Sequence, residues 1–245
     1  MSNRTALVTG GSTGIGRAIA ARLAQDGFSV VITGRGEESL REAASQHDNI
    51  SFVVADVTRS GDVDRTLAEI QDRHGRLDVL VNNAGVAPIA PIDQIDKAHV
   101  DAIFDVNVRG LIDTTVKALP ALRASKGSII NISSIVSDRP MPNMTVYAAS
   151  KAAVTTLSKG WAKELAPEGV RVNVVSPGPI ETPIFGKLGL PQEQVDEMGA
   201  QITSMVPMGR FGTAEEVASS VGYLASPAAS FVTGADFSID GGMRA

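Results

Sequence analysis

Tyr147 and Lys151 stand four residues apart in the stretch Tyr147-Ala148-Ala149-Ser150-Lys151. That spacing puts both side chains on one face of a helix. A phenol beside a fixed ammonium is a proton donor whose pKa the neighbouring charge pulls down. At about 4 Å and an effective dielectric of about 20, the attraction is roughly 4 kcal/mol, or about three pKa units. Such a pull takes a phenol from about 10 toward about 7, where it can serve as a general acid and base. Tyr223 is the only other tyrosine. Alone, the spacing also describes a packed ring and a solvated amine, so the rest of the chain must decide.

Composition narrows the chemistry. The chain has 245 residues, 43% hydrophobic and 20% charged, enough for a substantial core. A net charge of -5 and a pI near 5.2 argue against a nucleic-acid partner. The absence of cysteine removes disulfides, thiolate zinc sites and cysteine nucleophiles. His47, His74 and His99 are each flanked by polar or charged residues and read as solvated helix-end residues rather than metal ligands. No apolar run reaches membrane length, and the start lacks the layout of a secretory signal. A cytoplasmic protein without a membrane partner is the expectation.

The elements that must position the pair follow from the alternation of short apolar runs with amphipathic stretches. Strands are expected at Ala6–Val8, Val30–Ile32, Ile50–Ala55, Leu77–Val81, Ser128–Ile132, Val170–Val175 and Phe237–Ile239. Helices are expected at Ile15–Gln25, Glu37–Gln46, Arg59–His74, Asp96–Leu122, Thr145–Leu165 and Glu215–Leu224. This pattern is α/β, a parallel sheet covered by helices on both faces through right-handed crossovers. No linker divides residues 1–245, which read as a single domain. The long stretch Pro177–Pro207, irregular apart from one amphipathic segment, reads as a substrate lid, centred on residues 183–208.

A glycine loop, Thr9-Gly10-Gly11-Ser12-Thr13-Gly14-Ile15-Gly16, lies between the first strand and the first helix. Glycines there allow a tight turn and close backbone approach, and the helix N-terminus then faces a phosphate. The second strand ends Thr33-Gly34-Arg35. A carboxylate at this point serves the ribose hydroxyls of NAD, whereas a guanidinium suits a 2'-phosphate. Arg35 therefore points to NADP(H) rather than NAD(H). Asp56, followed by Val57, ends the third strand and either accepts from the adenine amine or caps the helix near Arg59.

These residues occur in one order with Asn82-Asn83-Ala84-Gly85, Asn107, Ser133-Ser134, Tyr147-x-x-x-Lys151, Pro177-Gly178 and Ile239-Asp240-Gly241-Gly242. As a set, spread over essentially the whole chain, they resemble the short-chain dehydrogenase/reductase family. The resemblance implies a single-domain, doubly wound Rossmann fold with a seven-stranded parallel sheet. It implies Tyr147 as general acid/base and Lys151 as the residue that binds the nicotinamide ribose and lowers the tyrosine pKa. Ser134, thirteen residues before Tyr147, would hold the substrate oxygen. Asn107 would sit in a distorted part of the long helix and help anchor a water leading to Lys151. The same resemblance assigns Gly10, Ser12, Thr13 and Ile15 to the phosphate loop. It places Asn83, Ala84 and Gly85 beside the adenosine ribose, and Pro177, Gly178, Ile180 and Thr182 beside the nicotinamide carboxamide. Many NADP-preferring relatives carry Lys or Arg where this chain has Thr13, so Arg35 alone supports NADP(H).

The substrate is less legible. Ile184, Phe185, Leu188, Leu190, Met198, Ile202, Met205 and Met208 in the lid stretch suggest an adaptable apolar cover or packing onto the domain. Ile135, Val136, Met141 and Met144 could line a pocket, and Arg139 either meets an anion or is simply exposed. A small-molecule ketone or secondary alcohol is favoured, with a 3-oxoacyl-(acyl-carrier-protein) substrate as the alternative because no basic cluster for an acidic carrier stands out. A nucleotide-sugar epimerase or dehydratase of an extended type would need a larger C-terminal domain. A non-enzymatic NADP-binding regulator would be expected to lack part of the catalytic set. The resemblance also implies a homotetramer, joined through the helix before Ser128 and the helix carrying Tyr147, where Leu157, Trp161 and Leu165 serve the interface or the core.

Overall fold

Runs of β-branched residues form the strands, and each is short and apolar because both of its faces are covered. They are β1 (Thr5–Thr9), β2 (Ser29–Gly34), β3 (Ile50–Val54), β4 (Val79–Asn82), β5 (Ser128–Ile132), β6 (Arg171–Pro177) and β7 (Asp236–Ile239). The computed structural model describes residues 4–181 and 192–245, without the side chains of residues 192, 194–196 and 198. Among these residues the strands make one parallel seven-stranded sheet in the order β3-β2-β1-β4-β5-β6-β7. Leu7 of β1 pairs with Val31 on one side and Leu80 on the other. The order reverses between β1 and β4. In a doubly wound sheet that reversal opens a crevice outside the carboxyl ends of the strands.

Helices fill both faces: α1 (Gly14–Gln25), α2 (Glu37–Ala44), α3 (Ser60–His74), α4 (Lys97–Phe104), α5 (Leu111–Ser125), α6 (Thr145–Leu165), α7 (Gln192–Met205) and α8 (Ala214–Ala225). Alternate strand residues feed different cores. Ala6 and Val8 join Ile19 and Leu23 of α1 and Val217, Val221 and Leu224 of α8. Leu7 joins Ile70 of α3, Leu122 of α5 and Leu165 of α6 on the other face. Leu165 and the half-buried Trp161 thus pack within the chain.

Two expectations change. The helix expected over Asp96–Leu122 is two α-helices joined by a π-helical stretch, Asp105–Gly110, and it runs on to Ser125. The amphipathic segment expected within Pro177–Pro207 is the helix α7, whose Val195, Met198, Ile202 and Met205 recur at helical spacing. Ile184, Phe185, Leu188 and Leu190 lie outside the described residues, as do Thr182 and part of the expected lid. His74 is not a solvated residue: its Nε2 is buried with no hydrogen-bond partner, and burial, then the charge of Arg73, pushes its pKa down.

Candidate active site

The carboxyl ends of β4 and β5, the π-helical stretch and the first turns of α6 meet around Tyr147. Lys151 is buried, and its Nζ donates to the Ile132 carbonyl at the end of β5 at 2.8 Å. The same Nζ lies 5.8 Å from the centroid of the Tyr147 ring. Ser134 follows β5 in extended conformation, and its hydroxyl accepts from the Val136 amide at 3.4 Å, capping a 3-10 turn over Ile135–Ser137. Hydrogen bonding from Ser134 is also the one influence that pulls the Tyr147 pKa down. Asn107 is buried in the π-helical stretch, where an extra backbone residue swings a side chain out of helical register. Its Oδ1 accepts from the Val86 amide at 2.9 Å, and its Nδ2 donates to the Val86 carbonyl at 2.9 Å and to Ser150 Oγ at 3.0 Å. Tyr147, Lys151, Ser134 and Asn107 are therefore gathered at one end of the sheet.

Electrostatics revise one expectation. The shift of the phenol is set by burial and Ser134, not by Lys151. Burial raises the Tyr147 pKa, and the Ser134 hydrogen bond opposes this only in part. Lys151 is itself desolvated, which takes its pKa down to about 8.

At the other end of the crevice the glycine loop is a cradle that side chains would fill. A Cβ on Gly10 would lie 2.9 Å from Ala84 Cα, and one on Gly16 only 2.2 Å from the Gly10 carbonyl oxygen. Asn83 spends its amide on the loop, donating to the carbonyls of Thr9 and Gly10 at 3.0 Å each. Thr9 Oγ1 accepts from the amides of both Asn83 and Ala84 at 3.1 Å. The N-terminus of α1 has no side-chain cap at Thr13 and no acidic residue in its first turn, so its amides are available to an anion near Ser12 and Ile15. Ser12 Oγ is within 3.5 Å of where a Gly34 Cβ would stand. Arg35 and Asp56 leave neighbouring strands next to the paired residues Gly34 and Val54. Asp56 does not cap α3: its carboxylate accepts from Thr58 N and Thr58 Oγ1, and Arg59 stands at the N-cap. Val57 backs onto Gly110, whose missing Cβ would be 2.8 Å from the Val57 carbonyl oxygen. Gly85 leaves room for Lys151, whose Nζ would be 3.5 Å from a Cβ there. A glycine cradle and an uncapped helix start are a donor set that fits the phosphates of a dinucleotide.

Residues 10–244 match the family model described as enoyl-(acyl carrier protein) reductase. A 3-oxoacyl-(acyl-carrier-protein) reductase of Thermotoga maritima is 38% identical over 99% of this chain and 98% of its own. An uncharacterized oxidoreductase of Methylorubrum extorquens is 40% identical over 100% and 99%. The crystal structure of a 3-ketoacyl-(acyl-carrier-protein) reductase from Brucella melitensis complexed with NADH superposes with a TM-score of 0.92 at 32% identity, over 99% of this chain and 98% of that one. The chain belongs to the short-chain dehydrogenase/reductase family. It is an oxidoreductase of the carbonyl/alcohol couple.

Within this fold, the roles of two supporting residues escaped the sequence reading. Ser150 accepts from Asn107 and donates to the Tyr147 carbonyl at 2.7 Å, joining the π-helical stretch to α6. Ser133 donates to the Lys151 carbonyl at 3.0 Å and shares a hydrogen bond with Thr155 at 2.9 Å. Ser133 stands in the Ser133-Ser134 motif and Ser150 inside the Tyr147–Lys151 stretch, but the spacing gave neither a role. Of the expected nicotinamide-side residues, Pro177 ends β6 and Gly178 packs against Asp240. Ile180 is buried in the core and bridges to Gly212. Ile135 and Val136 are buried against Ala148, with Met141, Tyr147 and Met243 packed on them, so they form the floor beneath Tyr147. Arg139 is exposed and donates to the carbonyls of Arg244 and Ala245. Among the described residues no helix is long and apolar enough to cross a membrane.

Proposed function

We propose that this reductase uses NADP(H) to convert a small-molecule ketone to a secondary alcohol, with Tyr147 as the general acid/base. The observation that carries this reading is the meeting of Tyr147, Ser134 and a buried Lys151 at the crevice end opposite the glycine cradle. When bound, a nicotinamide would supply the hydride for the carbonyl carbon. As the C=O π bond breaks, the Tyr147 hydroxyl gives its proton to the oxygen, and Ser134 donates a hydrogen bond to the same oxygen as charge develops. A phenol held above its usual pKa is protonated at neutral pH, which is the form that reduction needs. Lys151, tied to Ile132, would meet the ribose, while Asn107 and Ser150 hold the start of α6 against the loop after β4. Arg35 would bind the 2'-phosphate, Asp56 and Val57 the adenine side, and Gly10, Ser12, Thr13 and Ile15 the phosphates. Asn83, Ala84 and Gly85 would border the ribose, and Pro177, Gly178, Ile180 and Thr182 the carboxamide.

A 3-oxoacyl thioester is the second reading, because relatives that share 35–38% identity over nearly the whole chain carry that activity in their names. A cytoplasmic homotetramer is the expected form, and sedimentation velocity tests it. A panel of a diketone, an aryl ketone and acetoacetyl thioesters, each with NADPH and NADH, separates the readings. Arg35→Asp should cut kcat/KM with NADPH by roughly 10- to 100-fold and spare NADH, since a charge-assisted phosphate contact contributes about 1.5–3 kcal/mol. A wild-type preference for NADH would refute the cofactor assignment.

A further inference from the structure

Arg244 lies six residues beyond Ser238 and far in sequence from the catalytic pair, yet its side chain is anchored between the sheet and the loop that carries Ser134. Its Nη1 donates to Asp236 Oδ2 at 3.0 Å and to Ser238 Oγ at 2.8 Å, both on β7. Its Nη2 donates to Ser137 Oγ at 3.0 Å and to Asp138, and its Nε donates to Asp138 Oδ1 at 3.0 Å. These contacts occupy all five guanidinium donors. The side chain is 16% exposed, as is fitting for a bridge and not for a surface ion pair. Asp236 is itself held by Ser176 of β6 at 2.6 Å, so the anchor reaches two strands deep.

The other end of the bridge matters because of what it grips. Ser137 ends the three-residue 3-10 turn that Ser134 caps, and Asp138 follows it. So short a turn has little stability of its own, and its orientation must be imposed from outside. Arg139 reinforces the contact by donating to the Arg244 carbonyl at 3.1 Å and the Ala245 carbonyl at 3.3 Å. The backbone before Arg244 is folded onto Asp240, which accepts from the amides of Gly242 at 2.9 Å and Arg244 at 3.1 Å. That fold lays Met243 on the cluster of Ile135, Val136 and Ala148 that also carries the Tyr147 ring.

We propose that Arg244 is a positioning residue of the active site, fixing the turn behind Ser134 so that its hydroxyl stays on the Tyr147 phenol. This rests on the reading of Ser134 and Tyr147 as the reacting pair. Loss of the bridge lets Ser134 drift while the glycine cradle, on the far side of the sheet order, is untouched. Misplacement on the 1 Å scale can cost about 100-fold in rate, so a fall in kcat of at least roughly 10-fold is expected.

The test compares wild type with Arg244→Met, Arg244→Lys and Asp138→Asn. The readouts are diketone reduction with NADPH, NADPH binding by fluorescence, and the pH profile of alcohol oxidation. Arg244→Met and Asp138→Asn should lower kcat at nearly unchanged KM and NADPH Kd. They should also move the oxidation profile to higher pH, because hydrogen bonding from Ser134 no longer offsets the burial that holds the phenol's pKa up. Arg244→Lys should restore little, since one ammonium cannot serve both carboxylates in the same geometry. Should Arg244→Met fail to fold, Asp138→Asn decides, because that carboxylate is 58% exposed. An active wild type whose Asp138→Asn variant keeps its kcat and its pH profile overturns the proposal alone. A wild type inactive on every carbonyl in the panel overturns the functional reading and the proposal with it.

Discussion

The two ends of the crevice are built by different physics. The nucleotide end is shaped by what is missing: Gly10 and Gly16 leave no room for a Cβ, and Thr9 and Asn83 tie the loop down through backbone atoms. The catalytic end is shaped by what is present and costly: Lys151, Asn107, Ser133 and Ser150 are buried polar side chains, each with a partner. A cradle of backbone can recognise any phosphate that fits it. A cluster of buried donors must be satisfied in one arrangement or lose several hydrogen bonds at once. The contrast predicts that substitutions at the two ends fail differently, one in binding and the other in turnover.

The largest effect should come from Tyr147→Phe. Removing the hydroxyl takes away the proton donor while leaving the ring on Ile135, Val136 and Ala148. Turnover should fall by about 1,000-fold or more, within the range general acid catalysis contributes once a hydrogen bond to the alkoxide is also lost. NADPH affinity, measured by fluorescence, should stay within about twofold. A variant that also lost the cofactor would show that the two ends are not separable.

Lys151 gives the next largest effect, in stability. Its folded pKa of about 8 lies below the ordinary lysine value of 10.5. Below pH 8 folded and unfolded chains both carry the proton, and the folded state bears the cost of the buried charge. Between pH 8 and 10.5 the unfolded chain binds the proton and the folded chain does not, so this group makes stability rise with pH. The full contribution is on the order of 3 kcal/mol. Lys151→Met removes the titration. Urea unfolding from pH 7 to 10.5 should show wild type gaining on the variant as pH rises. The slope is the measure, because the variant also loses the bond to Ile132. A parallel pair of curves would mean that the ammonium is solvated.

Gly16→Ala probes the opposite end. The added methyl meets the Gly10 carbonyl oxygen at 2.2 Å, a backbone atom that cannot swing aside as a side chain does. Overpacking of this kind costs about 1–3 kcal/mol. Taken out of binding, that is roughly 10- to 100-fold in NADPH Kd. At saturating NADPH, kcat should be nearly that of wild type. A fall in kcat with unchanged Kd would invert the contrast between the ends.

How far each end was legible in the sequence follows from the same contrast. The cradle is local: strand, glycines and helix are consecutive, so Gly10 to Gly16 reads directly. So does α6, whose bounds Thr145–Leu165 coincide with those expected, because its apolar spacing is unbroken. The catalytic end depends on pairings that no local pattern encodes. Asn107 is held by Val86 across 21 residues, and this pairing accompanies the π-helical turn where a continuous helix was expected. The sign of the Tyr147 shift was missed because spacing gives proximity but not burial, and burial is what takes Lys151 down to about 8. Arg244 was invisible for the same reason, its partner Asp138 being 106 residues away.

The smallest expected effect is also a control on the catalytic end. Gly160 lies inside α6, and a Cβ there would meet nothing within 4 Å. Unlike Gly16, it has no close neighbour to explain it, and an interior helical glycine costs about 0.5–1 kcal/mol relative to alanine. Gly160→Ala should raise Tm by about 1–4 °C, the shift that gain produces in a chain of this size. The helix it stiffens carries Tyr147 and Lys151, but the Tyr147 ring is already packed on Ile135 and Val136, and Lys151 is tied to Ile132. Activity and cofactor affinity should therefore match wild type. A change in kcat would mean that backbone freedom in α6 is used during turnover, and that the catalytic end is less rigid than its hydrogen bonds make it.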